Sequence, residues 1–270
     1  MIVTTAKSSL CLVIGDPISH SLSPAMHNAG YAAARLSFMM AAARVTPDAL
    51  REAVAGMRAF GIRGLAVTMP HKNAIIPLLD SVDPIAQEIG AVNTVVQEQG
   101  QLIGYNTDWL GILKPIERHT TLKRKKVAII GAGGAAQAAV FAALRGGASA
   151  TIFNRTTDRG ASVAERFGCA SKSFDALSEV IDHDIIINTT SVGMTPHEGE
   201  SPLPLDALRA HHLIFETIYA PETTELLRLG ASVGATVIKG KEMFLEQGTA
   251  QFELHTGVSA PAEEMGKVLS

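Results

Sequence analysis

Cysteine is nearly absent from this chain: Cys11 and Cys169 are the two among 270 residues. Two cysteines make no disulfide framework, and Cys11 lies inside an apolar stretch, so the expected compartment is a reducing cytoplasm. An excess of one charge is lacking too. Twenty-three Lys and Arg face 26 Asp and Glu, for a formal net charge of −3, which leaves no basic field to hold nucleic acid. The one basic run, KRKK at 123–126, precedes an apolar strand and reads as a solvated connection. Long hydrophobic runs are missing as well. The stretch 10–14 is too short for a signal sequence or a membrane span, and Gly15-Asp16-Pro17 ends it. The nine histidines form no HExxH and pair with no cysteine motif, so nothing supports a metal site. Repeats and low-complexity segments are likewise absent.

What is present is a 47% apolar composition with only 5% aromatic residues, which suits a soluble α/β core of Ala, Val, Ile and Leu. The first hundred or so residues alternate strands and helices. A buried strand is predicted over 11–14. Ser23 with Pro24 then reads as an N-cap serine and a first-turn proline opening a helix to about residue 35. Thr46-Pro47 repeats the device, and Leu50, Ala53, Val54 and Met57 form the apolar stripe of a helix that Gly61 stops. A strand over 65–69 leads to a helix starting near Asn73. Strands over 91–97 and 101–105 join at a Gly100 turn.

A second α/β segment follows. Its first strand, 127–130, runs into Gly131-Ala132-Gly133-Gly134-Ala135-Ala136, which fits G-x-G-x-x-G/A. The first glycine permits the tight turn, the second lets backbone approach a pyrophosphate, and the small Ala136 lets helix pack on strand. The helix's opening N–H groups then face phosphate. After the next strand, 151–153, an acidic residue would bind the ribose 2′-hydroxyl of NAD. Instead the sequence reads Asn154-Arg155-Thr156, with Arg159 a turn later and no carboxylate before Asp158. Cations and a hydroxyl suit a 2′-phosphate, so the expected cofactor is NADP(H). Strands are predicted over 185–188, 213–215 and 235–238. A helix opens at Pro221 and ends at Gly230, a long helix covers 242–255, and a shorter one follows. Because the dinucleotide segment sits mid-chain, the first segment forms a separate domain to which the C-terminal helices return. Two α/β domains with a ligand-binding cleft between them are expected.

Outside the dinucleotide segment, several polar residues stand where strands end. Ser19, Ser21 and Ser23 crowd one turn; a helix cap explains Ser23 but not the other two hydroxyls. Thr68 and Lys72 bracket Met69-Pro70-His71 at a strand's carboxyl end, where α/β sheets place ligand chemistry, although a lysine there is often only solvated. Asn93 lies in an apolar strand, where an unpartnered amide costs about 1–3 kcal/mol. Asp108 has helix capping as its plain structural role, and Gln247, mid-helix among Met243, Phe244 and Phe252, is by default an exposed glutamine.

Taken together, HSLSP, VTMPHK, GAVNTV, GYNTD, GAGGAA, NRT, NTTSVGM and KGKEMFLEQGTAQFELHTG occur in one order along nearly the whole chain, and in that order it resembles the shikimate dehydrogenase family. The resemblance implies an N-terminal substrate domain of 1–105 completed by 239–270, and a Rossmann-type NADP domain of 106–238. It implies that Ser21 and Ser23 hold the carboxylate of shikimate and that Thr68, Asn93 and Gln247 bind its ring hydroxyls, with Tyr219 nearby. Lys72 and Asp108 match the family's catalytic pair. Gly131, Gly133, Gly134 and Ala135 match its phosphate turn, and Asn154, Arg155, Thr156 and Arg159 its 2′-phosphate clamp. Thr190, Ser191 and Met243 match segments bordering the nicotinamide. The implied reaction is the reversible NADP-dependent oxidation of shikimate to 3-dehydroshikimate, used reductively in aromatic amino acid biosynthesis. That chemistry asks for one positioned acid/base group and exclusion of water.

Three departures from the family's usual pattern stand out: Glu216-Thr217 where Asp and an apolar residue are common, Lys241 where an apolar residue is usual, and Trp109 after the catalytic aspartate. Two other readings stay open. One is a quinate/shikimate dehydrogenase of broader specificity, which room for an extra hydroxyl beside Ser21 and Ser23 would decide. The other is a non-catalytic NADPH-binding regulator, which would not need Lys72, Asp108 and Gln247 together. The oligomeric state, monomer or homodimer, is not read from the sequence.

Overall fold

A computed structural model describes residues 5–269, and these divide into two compact units. The first comprises residues up to Thr107 together with those from Gln247 onward; the second is Asp108–Glu246. The second division falls at 246/247, inside a helix, rather than at the 238/239 expected from the sequence.

The first unit is built on a six-stranded sheet. In chain order its elements are β1 (Ser9–Gly15), α1 (Ser23–Ala33), β2 (Phe38–Arg44), α2 (Leu50–Ala59), β3 (Gly64–Val67), β4 (Ser81–Val82), α3 (Pro84–Ile89), β5 (Thr94–Glu98) and β6 (Gln101–Tyr105). The strand order is β2-β1-β3-β5-β6-β4. β1 pairs in parallel with β2 and β3, whereas β5 runs antiparallel to β3 and β6. Leu50, Val54 and Met57 of α2 bury against Ile14, Leu65 and Val95, so the predicted stripe is the face that meets the sheet. The β5–β6 hairpin turns on Gln99 and Gly100, both at positive φ (50° and 81°).

Two local expectations are corrected, and one strand is added. Ser23 does not cap α1: Leu22 holds the cap position, and the Ser21 Oγ instead accepts from the Ser23 N–H at 3.3 Å. No α-helix starts near Asn73; turns lead to a 3₁₀ segment, Ile76–Leu78, because Pro77 removes an N–H and restricts the residue before it. The strand β2, FMMAAAR, was not legible because its Met and Ala favour helix. Asn28 of α1 holds it, donating to Met40 O (2.9 Å) and accepting from Met40 N–H (2.8 Å).

The second unit contains α4 (Asp108–His119), β7 (Lys126–Ile130), α5 (Gly134–Arg145), β8 (Ser149–Asn154), α6 (Thr157–Phe167), β9 (Ala170–Ser173), β10 (Ile185–Asn188), β11 (Leu213–Glu216), α7 (Glu225–Ser232) and β12 (Thr236–Ile238). Its strands lie in the order β12-β11-β10-β7-β8-β9, all parallel. The order reverses between β7 and β10, which is the doubly wound arrangement of dinucleotide-binding folds. Pro221 does not open α7; the helix begins four residues after it, preceded by Thr224, which caps it by accepting from the Leu227 N–H at 3.4 Å. The division between the units falls within α8 (Gly240–Thr256), and α9 (Ala262–Lys267) then packs on α1 of the first unit.

Candidate active site

In the first unit, strand direction gathers the candidate residues. β1, β3 and β6 end at the same edge of the sheet, and the antiparallel β5 begins there. Ser21 and Ser23 follow β1, Thr68 and Lys72 follow β3, Asn93 precedes β5, and Asn106 and Thr107 follow β6. Close approach at this edge depends on Gly15. A Cβ there would sit 2.5 Å from Thr68 Cγ2 and 2.9 Å from Met69 O. With glycine, the Asp16 N–H reaches Met69 O at 3.0 Å and ties the two loops together.

The loop carrying Lys72 is held on both sides of that residue. His71 is buried, its N–H donates to Thr68 O (2.9 Å), and its Nε2 bonds Val45 O (2.7 Å). The Lys72 carbonyl accepts from Val92 N–H at 2.8 Å, and the Asn73 side chain donates to Gly90 O at 2.6 Å. Four bonds therefore fix a turn whose middle residue is a half-buried lysine.

Asn93 is 2% exposed, and its amide is the hub of a buried network. Its Nδ2 donates to Thr107 Oγ1 (2.9 Å), while its Oδ1 accepts from Thr107 N–H and Thr94 Oγ1, each at 2.8 Å. Asn106 donates to Ala91 O at 2.8 Å. Gln251, which sequence reasoning missed, is buried on α8 and donates to Asn93 O (3.1 Å) and Thr94 Oγ1 (2.8 Å). Gln247 lies half-buried one turn earlier on that helix. Asp108, 4% exposed, directly follows Thr107 and is the first residue of α4 and of the second unit.

In the second unit the glycine turn sits where the strand order reverses. Gly131 has φ +112°, and a Cβ there would meet Thr189 Oγ1 at 2.7 Å, so only glycine fits this turn. Gly133 occupies the N-cap of α5 with no side-chain cap, and Gly134 and Ala135 follow half-buried, which leaves the helix's first N–H groups to an incoming acceptor. Ala136 is fully buried. A Cβ on Gly133 would come no nearer to another group than 4.0 Å, and that group is the Arg159 guanidinium. Arg159 in turn donates from Nε to Ala132 O at 3.1 Å, so α6 delivers a cation to the turn itself. Asn154 donates to Thr156 O at 2.7 Å, shaping the bend after β8 on which exposed Arg155 and Thr156 stand. Open space, helix N–H groups and guanidinium donors fit a phosphorylated dinucleotide, and the cations beyond β8 fit a 2′-phosphate.

Two further loops in this unit are bound into one piece. Asn188, fully buried at the end of β10, accepts at Oδ1 from Thr190 N–H (3.0 Å) and Thr190 Oγ1 (2.8 Å). Its Nδ2 donates to Glu216 Oε1 (3.0 Å) and Oε2 (3.1 Å) at the end of β11. The Glu216 carboxylate also accepts from Ile218 N–H at 3.1 Å and Thr224 Oγ1 at 2.9 Å. Gly240 closes this region: a Cβ there would lie 2.1 Å from Ile218 O. The Tyr219 ring packs against Phe244 at 4.5 Å, Met243 is buried beside it in sequence, and Ser191 is exposed.

Comparison with known proteins decides the family. The description "Shikimate dehydrogenase substrate binding domain" matches residues 13–95, "Shikimate / quinate 5-dehydrogenase" residues 115–196, and "Shikimate 5'-dehydrogenase C-terminal domain" residues 240–269. A shikimate dehydrogenase (NADP(+)) of Moorella thermoacetica is 42% identical, covering 100% of this chain and 95% of the relative. The chain belongs to the shikimate dehydrogenase family. Among solved structures, a shikimate dehydrogenase in complex with NADP+ superposes with a TM-score of 0.93 at 35% identity, covering 99% of this chain and 96% of that one. The Thermus thermophilus enzyme in complex with NADP(H) and shikimate gives 0.90 at 34%, covering 97% and 98%.

The departures from the family's usual residues find physical places. Lys241 is paired: its Nζ lies 3.1 Å from Glu222 Oε2, and Lys239 reaches the other oxygen at 2.9 Å. Trp109 packs edge-on against Phe141, with ring centroids 5.5 Å apart. Glu216 is fully buried, and burial pushes its carboxyl up to about 7 against the hydrogen bonds from Asn188, Ile218 and Thr224, which favour the charged form.

Proposed function

We propose that the protein catalyses the reversible NADP-dependent oxidation of shikimate to 3-dehydroshikimate, running reductively in aromatic amino acid biosynthesis in the cytoplasm. The observation that carries the reading is the gathering of Ser21, Thr68, Lys72 and Asn93 at one sheet edge, in a chain whose other sheet carries a turn shaped for phosphates. The unit ending at Thr107 and resuming at Gln247 takes the substrate, and the unit from Asp108 to Glu246 takes the cofactor.

Bound NADP+ supplies the hydride acceptor, its nicotinamide C4. All other work falls to the chain. Ser21 and Ser23 hold the substrate carboxylate; Thr68, Asn93 and Gln247 hold ring hydroxyls. Asn93, fixed by Thr107 and Thr94, has no freedom to rotate away, so its part of the pocket is preorganised. Lys72 takes the proton of the C3 hydroxyl as that carbon becomes a carbonyl and returns it in the reverse direction, with Asp108 orienting it. The bonds on either side of Lys72 hold its backbone through both directions. Arg155 and Arg159 meet the 2′-phosphate, the α5 N-terminus meets the pyrophosphate, and Thr190, Ser191, Tyr219 and Met243 border the nicotinamide.

The test is cofactor reduction followed in the near ultraviolet, crossing shikimate and quinate with NADP⁺ and NAD⁺. Turnover confined to shikimate with NADP⁺ supports the proposal. Equal turnover of quinate moves the protein to the broader specificity, and NADPH binding without turnover of any pair refutes the catalytic reading.

A further inference from the structure

The carboxylate of Glu216 sits at the end of β11, between the loops that follow β10 and β11. It receives four hydrogen bonds and gives none: two from the Asn188 amide, one from the Ile218 N–H and one from the Thr224 hydroxyl. Through Asn188 Oδ1 the same network reaches the N–H and hydroxyl of Thr190, and the Thr190 Oγ1 accepts from Val192 N–H at 3.2 Å. The loop's far side is held too, since a Cβ on Gly193 would lie 3.3 Å from Thr224 Cβ. Chain segments 188–193, 216–219 and 224 thus converge on one side chain. We propose that Glu216 is the positioning residue that locks the Thr190–Ser191 and Ile218–Tyr219 segments into a single wall for the nicotinamide end of the cofactor.

The inference rests on the assignment of Thr190, Ser191 and Tyr219 to the nicotinamide made above. Its chemistry follows from counting donors. Asn188 Nδ2 and Ile218 N–H can only donate, and a carboxylate accepts from all four bonds at once. A carboxylic acid or an amide places a hydrogen on one oxygen position, and only the Thr224 hydroxyl can reverse to meet it. The reversal leaves its oxygen also accepting from Leu227 N–H at the α7 cap. The groups facing Glu216 from β10, from the loop after β11 and from the α7 cap are the neutral Asn188, Thr217, Ile218 and Thr224. Burial, which brings the carboxyl to about 7, therefore sets the lock to open on acidification through neutrality.

The experiment measures binding of NADP⁺ and of adenosine 2′,5′-bisphosphate, which carries the 2′-phosphate and adenine but no nicotinamide, by calorimetry from pH 6 to pH 8.5. The variants are Glu216→Gln, Glu216→Asp and Thr190→Val. At pH 8.5, Glu216→Gln is expected to weaken NADP⁺ by about tenfold, the scale of one hydrogen bond to a charged group, and to leave the bisphosphate within about twofold. Wild-type protein should lose the same preference for NADP⁺ as pH falls through 7, Glu216→Gln should show no such step, and Glu216→Asp should restore most of the preference. Intact bisphosphate binding shows that the unit is folded. Equal weakening of both ligands, or a Glu216→Gln preference equal to wild type while Thr190→Val lowers it, overturns the role of Glu216 alone. If Thr190→Val and Glu216→Gln both leave the preference unchanged, the nicotinamide assignment fails and the proposal falls with it.

Discussion

Acidification should unfold the first unit before any catalytic group explains the loss, because two histidines are fully buried within it. His27 on α1 and His255 on α8 face each other with ring centroids 6.1 Å apart, in a cluster with Tyr31 and Phe252. His255 lies directly on the backbone of β3: a Cβ on Gly64 would come within 2.4 Å of its Nε2. Burial, with the neighbouring His255 adding to it, lowers His27 to about 3; burial, with the Arg63 guanidinium adding to it, lowers His255 to about 4. Both start from 6.5 in the unfolded chain. Between pH 6.5 and 4 the unfolded chain therefore binds up to two more protons than the folded one, and stability falls as pH falls. At pH 5 each ring has lost about 1.5 pH units of that difference, or about 2 kcal/mol, so the pair costs about 4 kcal/mol relative to neutral pH. Against a domain stability of about 5–15 kcal/mol, that is a large fraction.

The assay is urea unfolding at several pH values, with hydrogen exchange of α1 and the second half of α8 reporting the first unit. Trp109, the only tryptophan, packs on Phe141 and reports the second. The first unit should lose about 3 kcal/mol per pH unit near pH 5, close to the slope of two protons, and His27→Gln should roughly halve it whatever it does to stability at pH 7. A wild-type slope below that of one proton, or an unchanged slope in the variant, would refute the burial reasoning. The second unit should show an opposite contribution. Glu216, raised from 4.5 to about 7, contributes stability that is full below 4.5 and lost as pH rises through 7, so the Trp109-detected stability of wild type relative to Glu216→Gln should fall with rising pH.

Other perturbations separate the roles of single residues. Lys72→Ala should lower kcat by about 10²–10⁴-fold with little change in KM for shikimate; a change mainly in KM would make Lys72 a binding residue. Arg155→Ala should raise KM for NADP⁺ by about 10- to 100-fold and leave weak NAD⁺ use nearly untouched, with equal losses for both cofactors contradicting the clamp. Gly240→Ala forces a Cβ to 2.1 Å from Ile218 O and 2.4 Å from its carbonyl carbon, so it should cost about 3 kcal/mol or more and lower the Trp109-monitored melting temperature; a near-neutral variant would show that the 218–219 segment moves freely.

Features that rest on a local demand were legible in the sequence. The Gly131 turn must be glycine for its φ, the strands of the second unit other than the polar, unpredicted β9 are short apolar runs, and the α2 stripe has helical period. Features whose partners lie far away were not. Glu216 meets Asn188 across 28 residues, and Gln251 meets Asn93 across 158, so neither side chain carries a local sign of its bond. Glu216 and Lys241 are alike in sequence as unusual charges, yet one is a buried acceptor of four bonds and the other a half-buried lysine paired with the exposed Glu222, a pair worth little in water. Ser23 and Pro221 each have the right composition for a helix start, but the cap is the residue whose carbonyl accepts the first helical bond, here Leu22 from Met26 N–H and Thr224 from Arg228 N–H, each at 3.0 Å.

Strand direction also explains why one candidate looked out of place. In the all-parallel sheet, Gly131 follows β7, Arg155 follows β8, Asn188 ends β10 and Glu216 ends β11. In the mixed sheet, Thr68 and Thr107 likewise follow their strands, but β5 runs the other way, so the residue it brings to that edge stands before the strand. That residue is Asn93, whose N–H bonds Tyr105 O (3.0 Å) and whose carbonyl accepts from Val67 N–H (2.7 Å). These backbone bonds pin it between two strand ends, and its side-chain amide is spared the cost of going unpartnered by Thr107 and Thr94, which also aim it. A search for ligand chemistry restricted to residues after strands would pass over it, because the antiparallel strand reverses which end faces the site.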